Sequence, residues 1–381
     1  MGPYQPMYLK SKNRKLVFDL FKQYRELSRA QIAKLTEMSF PTAMKVVDFL
    51  IQKNVILELG EFNTEMSGPG RRSKLLQFNP DAYHAIGVEV EGSRVIIGLI
   101  NLQGEILSHE TVHIITHDNL DYFSEVIRVV KVQIKQSKAP VLGVGIGFPG
   151  NINPETNEIV SYNPLRITKP TSLTELLPKI HETLELPIFI DNDVNLACAG
   201  EHLVTDKSTQ SSLVYLSLGT GFGSGIITKG KLWRGERFSA GEIGNLLMTP
   251  IDNSKQGIPG ISSLEKSINL QALKNRFGID FEKNEYIDSS QKEKVVSYLA
   301  PYLSTVIFNL LTVLDIRHYS ISGIIPQKLN PLLNMKISEI LSTIPEEIGT
   351  VTISVPQSKF PVLSGAASMV FDQLIFEEFS M

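Results

Sequence analysis

The chain has 381 residues with 37 basic and 40 acidic side chains, and 42% of its residues are apolar. This length suits two or three domains, and a charged fraction of 20% is typical of a globular protein. A single cysteine excludes a disulfide framework and any zinc site built on several cysteines. Since no signal-peptide pattern and no membrane-length apolar run is found, we expect a cytoplasmic protein with no membrane partner.

Charge is distributed unevenly along the chain. Residues 1–80 carry 13 basic and 7 acidic side chains, whereas residues 81–381 carry 24 basic and 33 acidic ones. A basic module joined to an acidic body indicates a polyanionic partner for the first part alone. A solvated basic surface would give the same balance, so the pattern of secondary structure has to distinguish the two.

Three helices are predicted within the first 55 residues. Apolar residues at helical spacing mark a helix over 13–25 and a second over 28–35, in which Leu35 is expected to face inward. The third helix has Ser39 as its expected N-cap and Pro41 in its first turn. A helix, a short turn and a second helix form the arrangement that places the last helix in a DNA major groove.

A β-hairpin is predicted directly after these helices. Strands over 55–59 and 74–78 are joined by a turn-rich loop with adjacent arginines at its base, which suits a wing that reaches a minor groove. A three-helix interaction module without a DNA role is the alternative. The side chains expected to contact DNA are Ser39, Phe40, Thr42, Lys45, Arg71 and Arg72.

From residue 84 the sequence alternates strands and helices in two successive cycles. The first cycle predicts strands at 84–90, 94–100, 104–108, 141–146 and 187–190, and helices at 119–135 and 171–184. The second predicts strands at 213–218, 225–228, 231–234, 318–322 and 350–355, and helices near 292–314, 327–345 and 362–379. Two similar α/β units in tandem predict two lobes with a cleft between them.

Four motifs in this body resemble those of the ROK family, which includes sugar kinases and sugar-responsive transcription factors. They are the glycine-rich runs at 143–150 and 218–225, Asp-Asn-Asp-Val-Asn at 191–195 and Ala-Gly-Glu-Ile-Gly at 240–244. The resemblance covers nearly the whole chain, since regulators of that family also carry an N-terminal winged helix. It implies an α/β, two-lobed, actin-like or hexokinase-like (ribonuclease H-like) body preceded by an α+β winged helix-turn-helix domain.

The same resemblance suggests how the chain divides. Residues 1–80 would form the DNA-binding domain and residues 81–193 the first lobe. Residues 194–361 would form the second lobe, and the C-terminal helix over 362–381 would pack back on the first.

A sugar site is implied where the two lobes meet. The resemblance places Asp193 at the position of the kinase general base, here a vestigial one, so no catalytic residue is expected. The alternative is a helix N-cap, which Asp191, Asn192 or Asp193 could provide. The expected sugar ligands are Asn163, Asn192, Asp193, Glu242, Asn245 and Glu265.

The phosphate-binding features are preserved in one loop only. A vestigial phosphate loop is predicted, in which backbone N–H groups can converge on an anion, at Gly219, Thr220, Gly221 and Gly223. A tight turn between two strands would have the same glycine pattern. The first loop departs from the kinases, because Glu89 and Glu91 place carboxylates where phosphate would approach. Ile324 and Ile325 also stand where the family has glycines beneath adenosine. These departures argue against nucleotide binding and phosphoryl transfer.

No zinc is expected, so no cofactor is predicted. The histidine of the family's zinc site is replaced by Asn245, and residues 253–263 contain no cysteine. The only thiol, Cys198, lies on an apolar helix and is expected to be a core residue.

These observations predict a sugar-responsive DNA-binding transcriptional regulator, a repressor of carbohydrate-metabolism genes. Its expected partners are operator DNA, a sugar or sugar derivative that binds in the cleft, and further copies of itself in a homodimer or homotetramer. Two alternatives are an active ATP-dependent sugar kinase with an added DNA-binding domain, and an architectural DNA binder without a ligand.

Overall fold

The computed structural model describes residues 6–61, 74–114, 119–156, 158–161, 173–205, 211–248, 264–283, 286–345 and 349–376. The N-terminal part forms three helices and a three-stranded antiparallel sheet of order β1-β3-β2. Its elements are α1 (Pro6–Tyr24), β1 (Glu26–Ser28), α2 (Arg29–Thr36), α3 (Phe40–Gln52), β2 (Ile56–Glu61) and β3 (Lys74–Phe78). The three predicted helices and both wing strands are confirmed. Strand β1 was not predicted, since three residues carry no readable alternation.

Local capping fixes where α2 begins. The Ser28 side chain accepts a hydrogen bond from the Gln31 N–H, and the Gln31 side chain accepts one from the Ser28 N–H at 2.8 Å. This capping box satisfies two backbone donors that a helix start leaves unpaired. The prediction that Leu35 faces inward is wrong: the side chain is 45% exposed, because α2 is short and only Ile32 reaches the core.

The first lobe is built on a five-stranded sheet of order β6-β5-β4-β7-β10. Neighbours β4–β5 and β5–β6 are antiparallel, and β4–β7 and β7–β10 are parallel. Its elements are β4 (His84–Glu91), β5 (Arg94–Asn101), β6 (Ile106–His113), α4 (Asn119–Gln136), β7 (Val141–Phe148), β8 (Asn151–Asn153), β9 (Glu158–Ser161), α5 (Leu173–Leu184) and β10 (Ile188–Asn192).

The second lobe repeats this pattern of strands. Its sheet has the order β13-β12-β11-β14-β15, again with two antiparallel pairs followed by two parallel pairs. Its elements are α6 (Asp193–Val204), β11 (Leu213–Leu218), β12 (Phe222–Thr228), β13 (Lys231–Leu232), a 3-10 turn (Ile243–Asn245), α7 (Glu265–Ile268), α8 (Leu270–Phe277), α9 (Ser289–Leu314), β14 (His318–Ser322), α10 (Ile324–Leu329), α11 (Leu332–Leu341) and β15 (Thr352–Ser354). The predicted tandem α/β units are confirmed.

Two helices join the lobes. The last helix, α12 (Pro361–Leu374), packs on β4 and β7 of the first sheet, whereas α6 packs on β11 and β12 of the second. The two helices pack directly against each other, with Gly200 of α6 facing the Pro361 carbonyl and Gly365 of α12 facing the Leu196 carbonyl. The α6–α12 contact therefore connects the two sheets, and we refer to this contact as the hinge. The domain limits suggested by the sequence stay predictions.

The winged helix is packed on the body. Side chains of α1, such as Val17, Phe18 and Phe21, share one hydrophobic cluster with Phe371 and Phe376 near the chain's end. Burial of this kind contributes about 25 cal/mol per Å² of apolar surface removed from water, so the N-terminal domain is held against the first lobe rather than tethered to it.

The structure differs from the predicted elements in the second lobe. The helix predicted over 327–345 is two helices, α10 and α11, which separate at Pro331 because proline has no N–H to continue the helical ladder. Within the described residues, α9 is the one helix long and apolar enough to cross a membrane. It lies in the core of the second lobe, where Leu299, Leu303 and Ile307 are fully buried.

Candidate functional site

The end of β4 places two carboxylates, Glu89 and Glu91, close enough to Asp193 to interact with it electrostatically. Burial, together with the charge of Glu91, raises the pKa of Glu89 to about 7. Glu91 lies 3.5 Å from the Arg94 guanidinium, so one of the two carboxylates has a cation beside it. The end of β4 therefore carries acidic side chains that would repel a phosphate.

Asp193 begins α6 immediately after β10, at the edge of the same sheet. Burial raises its pKa to about 6, and the charges of Glu91 and Glu242 act in the same direction. The Val194 N–H opposes this shift by donating to Asp193 Oδ1 at 2.9 Å. A carboxylate with this pKa is ionised at pH 7 and can accept a proton or a hydrogen bond from a sugar hydroxyl.

Asn192, beside it, is already engaged through both ends of its amide. Its Oδ1 accepts from the Asn195 N–H at 2.9 Å and caps α6, while its Nδ2 donates to the Gly150 carbonyl at 2.9 Å. One N–H and one lone pair are left for a ligand. The N-cap expected among residues 191–193 is thus Asn192.

Three further predicted ligands, Glu242, Asn245 and Glu265, lie on the second lobe. Partial burial and the charge of Glu265 raise the pKa of Glu242, which connects these two side chains electrostatically. Asn245 is exposed, and its backbone N–H donates to the Glu242 carbonyl at 3.2 Å. The structure therefore gathers Asp193, Glu242 and Glu265 at one site, with Asn192 and Asn245 on its border.

The glycine loop between β11 and β12 is partly occupied by the protein itself. Glu265 Oε2 accepts from the Phe222 N–H at 3.1 Å, and the Gly219 N–H donates to the Gly221 carbonyl at 2.9 Å. Two of the loop's backbone donors are therefore unavailable to an anion. Thr220 is exposed at the tip of the turn.

The residues that follow β14 affect the same loop. A Cβ on Gly219 would lie 3.6 Å from Ile324 Cγ2, so the Ile324 side chain covers that glycine. The expectation that Ile325 also lines the cleft is wrong, because its side chain is fully buried in the core of the second lobe. Consecutive residues of a helix point in different directions, and only the first of the pair reaches the loop.

The donor set does not fit the family's zinc site. Cys198 is fully buried, and its side chain packs against Gly225 of β12. Burial raises the pKa of its thiol, which disfavours the thiolate that zinc requires. Asn245 supplies an amide where an imidazole would be needed, so no step is assigned to a metal.

An ion pair across the cleft was missed by sequence reasoning. Asp191 is fully buried at the end of β10, and its Oδ2 accepts from the Arg234 guanidinium, with Nε at 3.2 Å. Nearby, Asn151 Nδ2 donates to Ser239 Oγ at 3.0 Å. These contacts hold the segment after β13 against the first lobe. Nothing in the sequence marks residues 43 positions apart as partners.

Glu89 makes stability depend on pH. Its pKa is about 7 in the folded protein against 4.5 unfolded, so its favourable contribution is complete below pH 4.5 and is lost as pH rises through 7. Glu89→Gln is therefore expected to raise the free energy of unfolding by on the order of 2 kcal/mol at pH 8 and to leave it unchanged at pH 4. Urea unfolding at both values measures this. The surface variant Glu293→Gln is the control, and equal effects of both variants at pH 8 would contradict the assignment.

The predicted DNA-contacting residues cluster at the start of α3. Phe40 is 54% exposed and Lys45 is exposed one turn further on. The Ser39 side chain caps the helix by accepting from the Thr42 N–H, and the two hydroxyls lie 2.8 Å apart, so both side chains have a structural role. Asn163 and the arginines Arg71 and Arg72 lie outside the described residues, and their roles stay predictions.

Arg29, at the start of α2, holds the recognition helix in place and was also missed. Its guanidinium bonds Asp48 Oδ1 of α3 at 3.0 Å and Glu58 Oε1 of β2 at 2.7 Å, and Lys74 of β3 completes the network at 3.3 Å. The network ties α3 to the wing strands entirely within the N-terminal domain.

Two sheets of the same order, hinged on a pair of helices and preceded by a winged helix, define a two-lobed actin-like protein with an N-terminal helix-turn-helix. A family model described as ROK family matches residues 85–371. The chain belongs to the ROK family.

Three similar proteins support this assignment. The xylose repressor of Caldicellulosiruptor bescii is 31% identical over 241 residues, 62% of this chain and 59% of that protein. The xylose repressor of Bacillus subtilis is 24% identical over 382 aligned positions, 97% of each chain. The crystal structure of a ROK family transcriptional regulator, a homolog of the Escherichia coli MLC protein, matches with a TM-score of 0.76 over 97% of both chains at 20% identity. The chain thus spans about three fifths of the first repressor and nearly all of the second.

Proposed function

We propose that this protein is a sugar-responsive transcriptional repressor that binds operator DNA through its winged helix and a sugar in its interlobe cleft. The observation that carries this function is that one molecule combines two features. The start of α3 is exposed at Phe40 and Lys45, and the cleft carries carboxylates that suit sugar hydroxyls. The similarity over 97% of a protein named xylose repressor supports it. A soluble protein acting in the cytoplasm follows from this function.

The charges in the cleft favour an uncharged sugar over a sugar phosphate. Glu89, Asp193 and Glu242 all have raised pKa values because they are at least partly desolvated and lie close to other carboxylates. A phosphate brought about 4 Å from one such charge costs around 1 kcal/mol even in water and more in a partly buried cleft. Neutral hydroxyls instead donate to carboxylates without that penalty.

Phosphoryl transfer is not part of the proposed function. Glu91 opposes phosphate at the first turn, and Glu265 already accepts the Phe222 N–H in the second. The kinase alternative still has a candidate general base in Asp193, so kinase activity has to be measured directly. A coupled ADP-release assay across common hexoses and pentoses is expected to show no turnover. Sustained ADP release with any of these sugars would support the kinase alternative instead.

The proposed mechanism is a shift between conformations of the hinge. A sugar that contacts Asp193 on one side of the cleft and Glu242 on the other binds one lobe arrangement better, and by linkage that arrangement changes the affinity for DNA. Two winged helices in a homodimer would read half-sites about one helical turn apart, so a small change in their spacing alters the fit.

Lys45→Ala is expected to weaken DNA binding and to reduce the slope of log affinity against log salt concentration by about 1, since one phosphate contact is lost. Fluorescence anisotropy at several salt concentrations measures both quantities. Lys131→Ala, on α4 of the body, is the control for a lost positive charge. An unchanged slope with Lys45→Ala would contradict the proposal that α3 forms part of the DNA interface.

The deciding experiment titrates labelled DNA from upstream of the protein's own coding region, with and without a panel of sugars and their phosphates. Tight, salt-sensitive binding that an unphosphorylated sugar weakens supports the proposed function. Binding no stronger than that to random DNA would contradict it. A response to sugar phosphates alone would still support a sugar-responsive regulator, but it would contradict the preference of the acidic cleft for an uncharged sugar.

A further inference from the structure

The helix α12 runs from the hinge between the lobes to the winged helix. Its first turns cross α6 in backbone contact, because Gly200 and Gly365 leave no side chains between the helices. Helix α6 in turn begins at Asp193 in the cleft. A displacement of α6 is therefore passed to α12 directly, since no layer of flexible side chains separates them.

The other end of α12 lies against α1 of the winged helix. Two residues beyond the end of the helix, the ring of Phe376 packs edge-on against Phe18 of α1, with centroids 5.3 Å apart. Asp372 forms an ion pair with Lys15. The C-terminal turn of α12 and the middle of α1 therefore form one packed unit.

One side chain extends this contact to the recognition helix. Arg14 is 8% exposed, and its Nη1 donates to the Phe376 carbonyl at 2.8 Å. Its guanidinium carbon lies 3.5 Å from the centroid of the Phe49 ring on α3. A planar guanidinium can stack on a ring and donate in its own plane at the same time, which an ammonium cannot.

We infer that Arg14 is the positioning residue that couples the cleft to the recognition helix. It holds the end of α12 and Phe49 of α3 in a fixed relation, so that movement at the hinge reorients α3 on DNA. This role rests on the proposed function, because it concerns how the sugar response reaches the DNA-binding surface. It predicts that loss of Arg14 removes the response rather than the binding of either ligand.

The first test measures operator affinity by anisotropy with and without saturating D-xylose, in the wild type, Arg14→Gln and Arg14→Lys. Couplings between sites are commonly about 5-fold to 150-fold. The D-xylose-induced change in operator affinity is expected to fall to less than about 2-fold in Arg14→Gln. The lysine variant, which keeps the charge but not the stacked plane, is expected to be intermediate. Calorimetry is expected to show unchanged D-xylose binding in both variants.

Arg29→Gln is the matched control. Arg29 also bonds the recognition helix, through Asp48 next to Phe49, but Asp48, Glu58 and Met44, which it contacts, all lie within the N-terminal domain. This variant is expected to weaken operator binding while leaving the fold-change caused by D-xylose intact. Thermal unfolding of each variant identifies any that fail to fold.

Two results separate failure of this inference from failure of the proposed function. If D-xylose shifts wild-type affinity and shifts Arg14→Gln equally, the coupling role is overturned and the sugar-responsive regulator stands. If D-xylose does not shift the wild type, the sugar response to that probe is contradicted, and the coupling is tested by hydrogen exchange with operator DNA alone.

In the exchange experiment, saturating operator DNA is expected to slow amide exchange in α12 of the wild type and of Arg29→Gln, but not of Arg14→Gln. Protection of α12 in all three proteins, or in none, would overturn the role of Arg14. This readout requires no sugar.

Discussion

Gly200→Ala is expected to lower the free energy of unfolding by on the order of 3 kcal/mol. An added Cβ would overlap the Pro361 carbonyl oxygen and would also lie 3.0 Å from the Gly365 nitrogen. These are backbone atoms, so the helices α6 and α12 must separate to make room. Alanine favours a helix by about 1 kcal/mol over glycine, which offsets only part of this cost. Urea unfolding followed by circular dichroism measures the change.

Gly223→Ala is the matched control for this prediction. Gly223 also faces α6, but its Cβ would lie 3.5 Å from Val194 Cγ2, an ordinary van der Waals contact with a side chain. This variant is expected to change stability by less than about 1 kcal/mol. Equal stability of the two variants would mean that the α6–α12 contact is looser than the structure indicates.

Arg234→Ala is expected to destabilise the protein by about 3 kcal/mol, because it leaves the fully buried Asp191 carboxylate without its cation. The segment after β13 should also detach from the first lobe. The only tryptophan, Trp233, adjoins this arginine and is 45% exposed, so its fluorescence reports the detachment directly. Urea unfolding with this probe measures both effects.

The double variant Asp191→Asn with Arg234→Ala distinguishes an unpaired charge from lost packing. Removing the buried charge is expected to restore at least half of the lost stability, since most of the cost lies in the uncompensated carboxylate. Arg237→Ala, at an exposed position three residues on, is the control and is expected to be near neutral. No recovery in the double variant would contradict the ion-pair explanation.

The helix-turn-helix could be predicted because its signals are local. Ser28 with Gln31, and Ser39 with Thr42, are within one turn of each other, and their hydrogen bonds form wherever the segment folds. The tandem sheets were also readable, since strand periodicity and glycine turns repeat in both halves. The exposure of Leu35 was not, because a helical pattern does not say how much of a short helix the rest of the domain covers.

The sequence by itself therefore determined the order of the main strands and helices and the family motifs, because each depends on neighbours a few positions away. The tertiary structure alone decided which distant side chains meet. Asp191 with Arg234, Glu265 with the Phe222 N–H, and Arg14 with both Phe376 and Phe49 are separated by 35 to 362 positions along the chain. Such pairs form only when whole lobes pack, because the local sequence around one residue does not predict which distant residue it will contact.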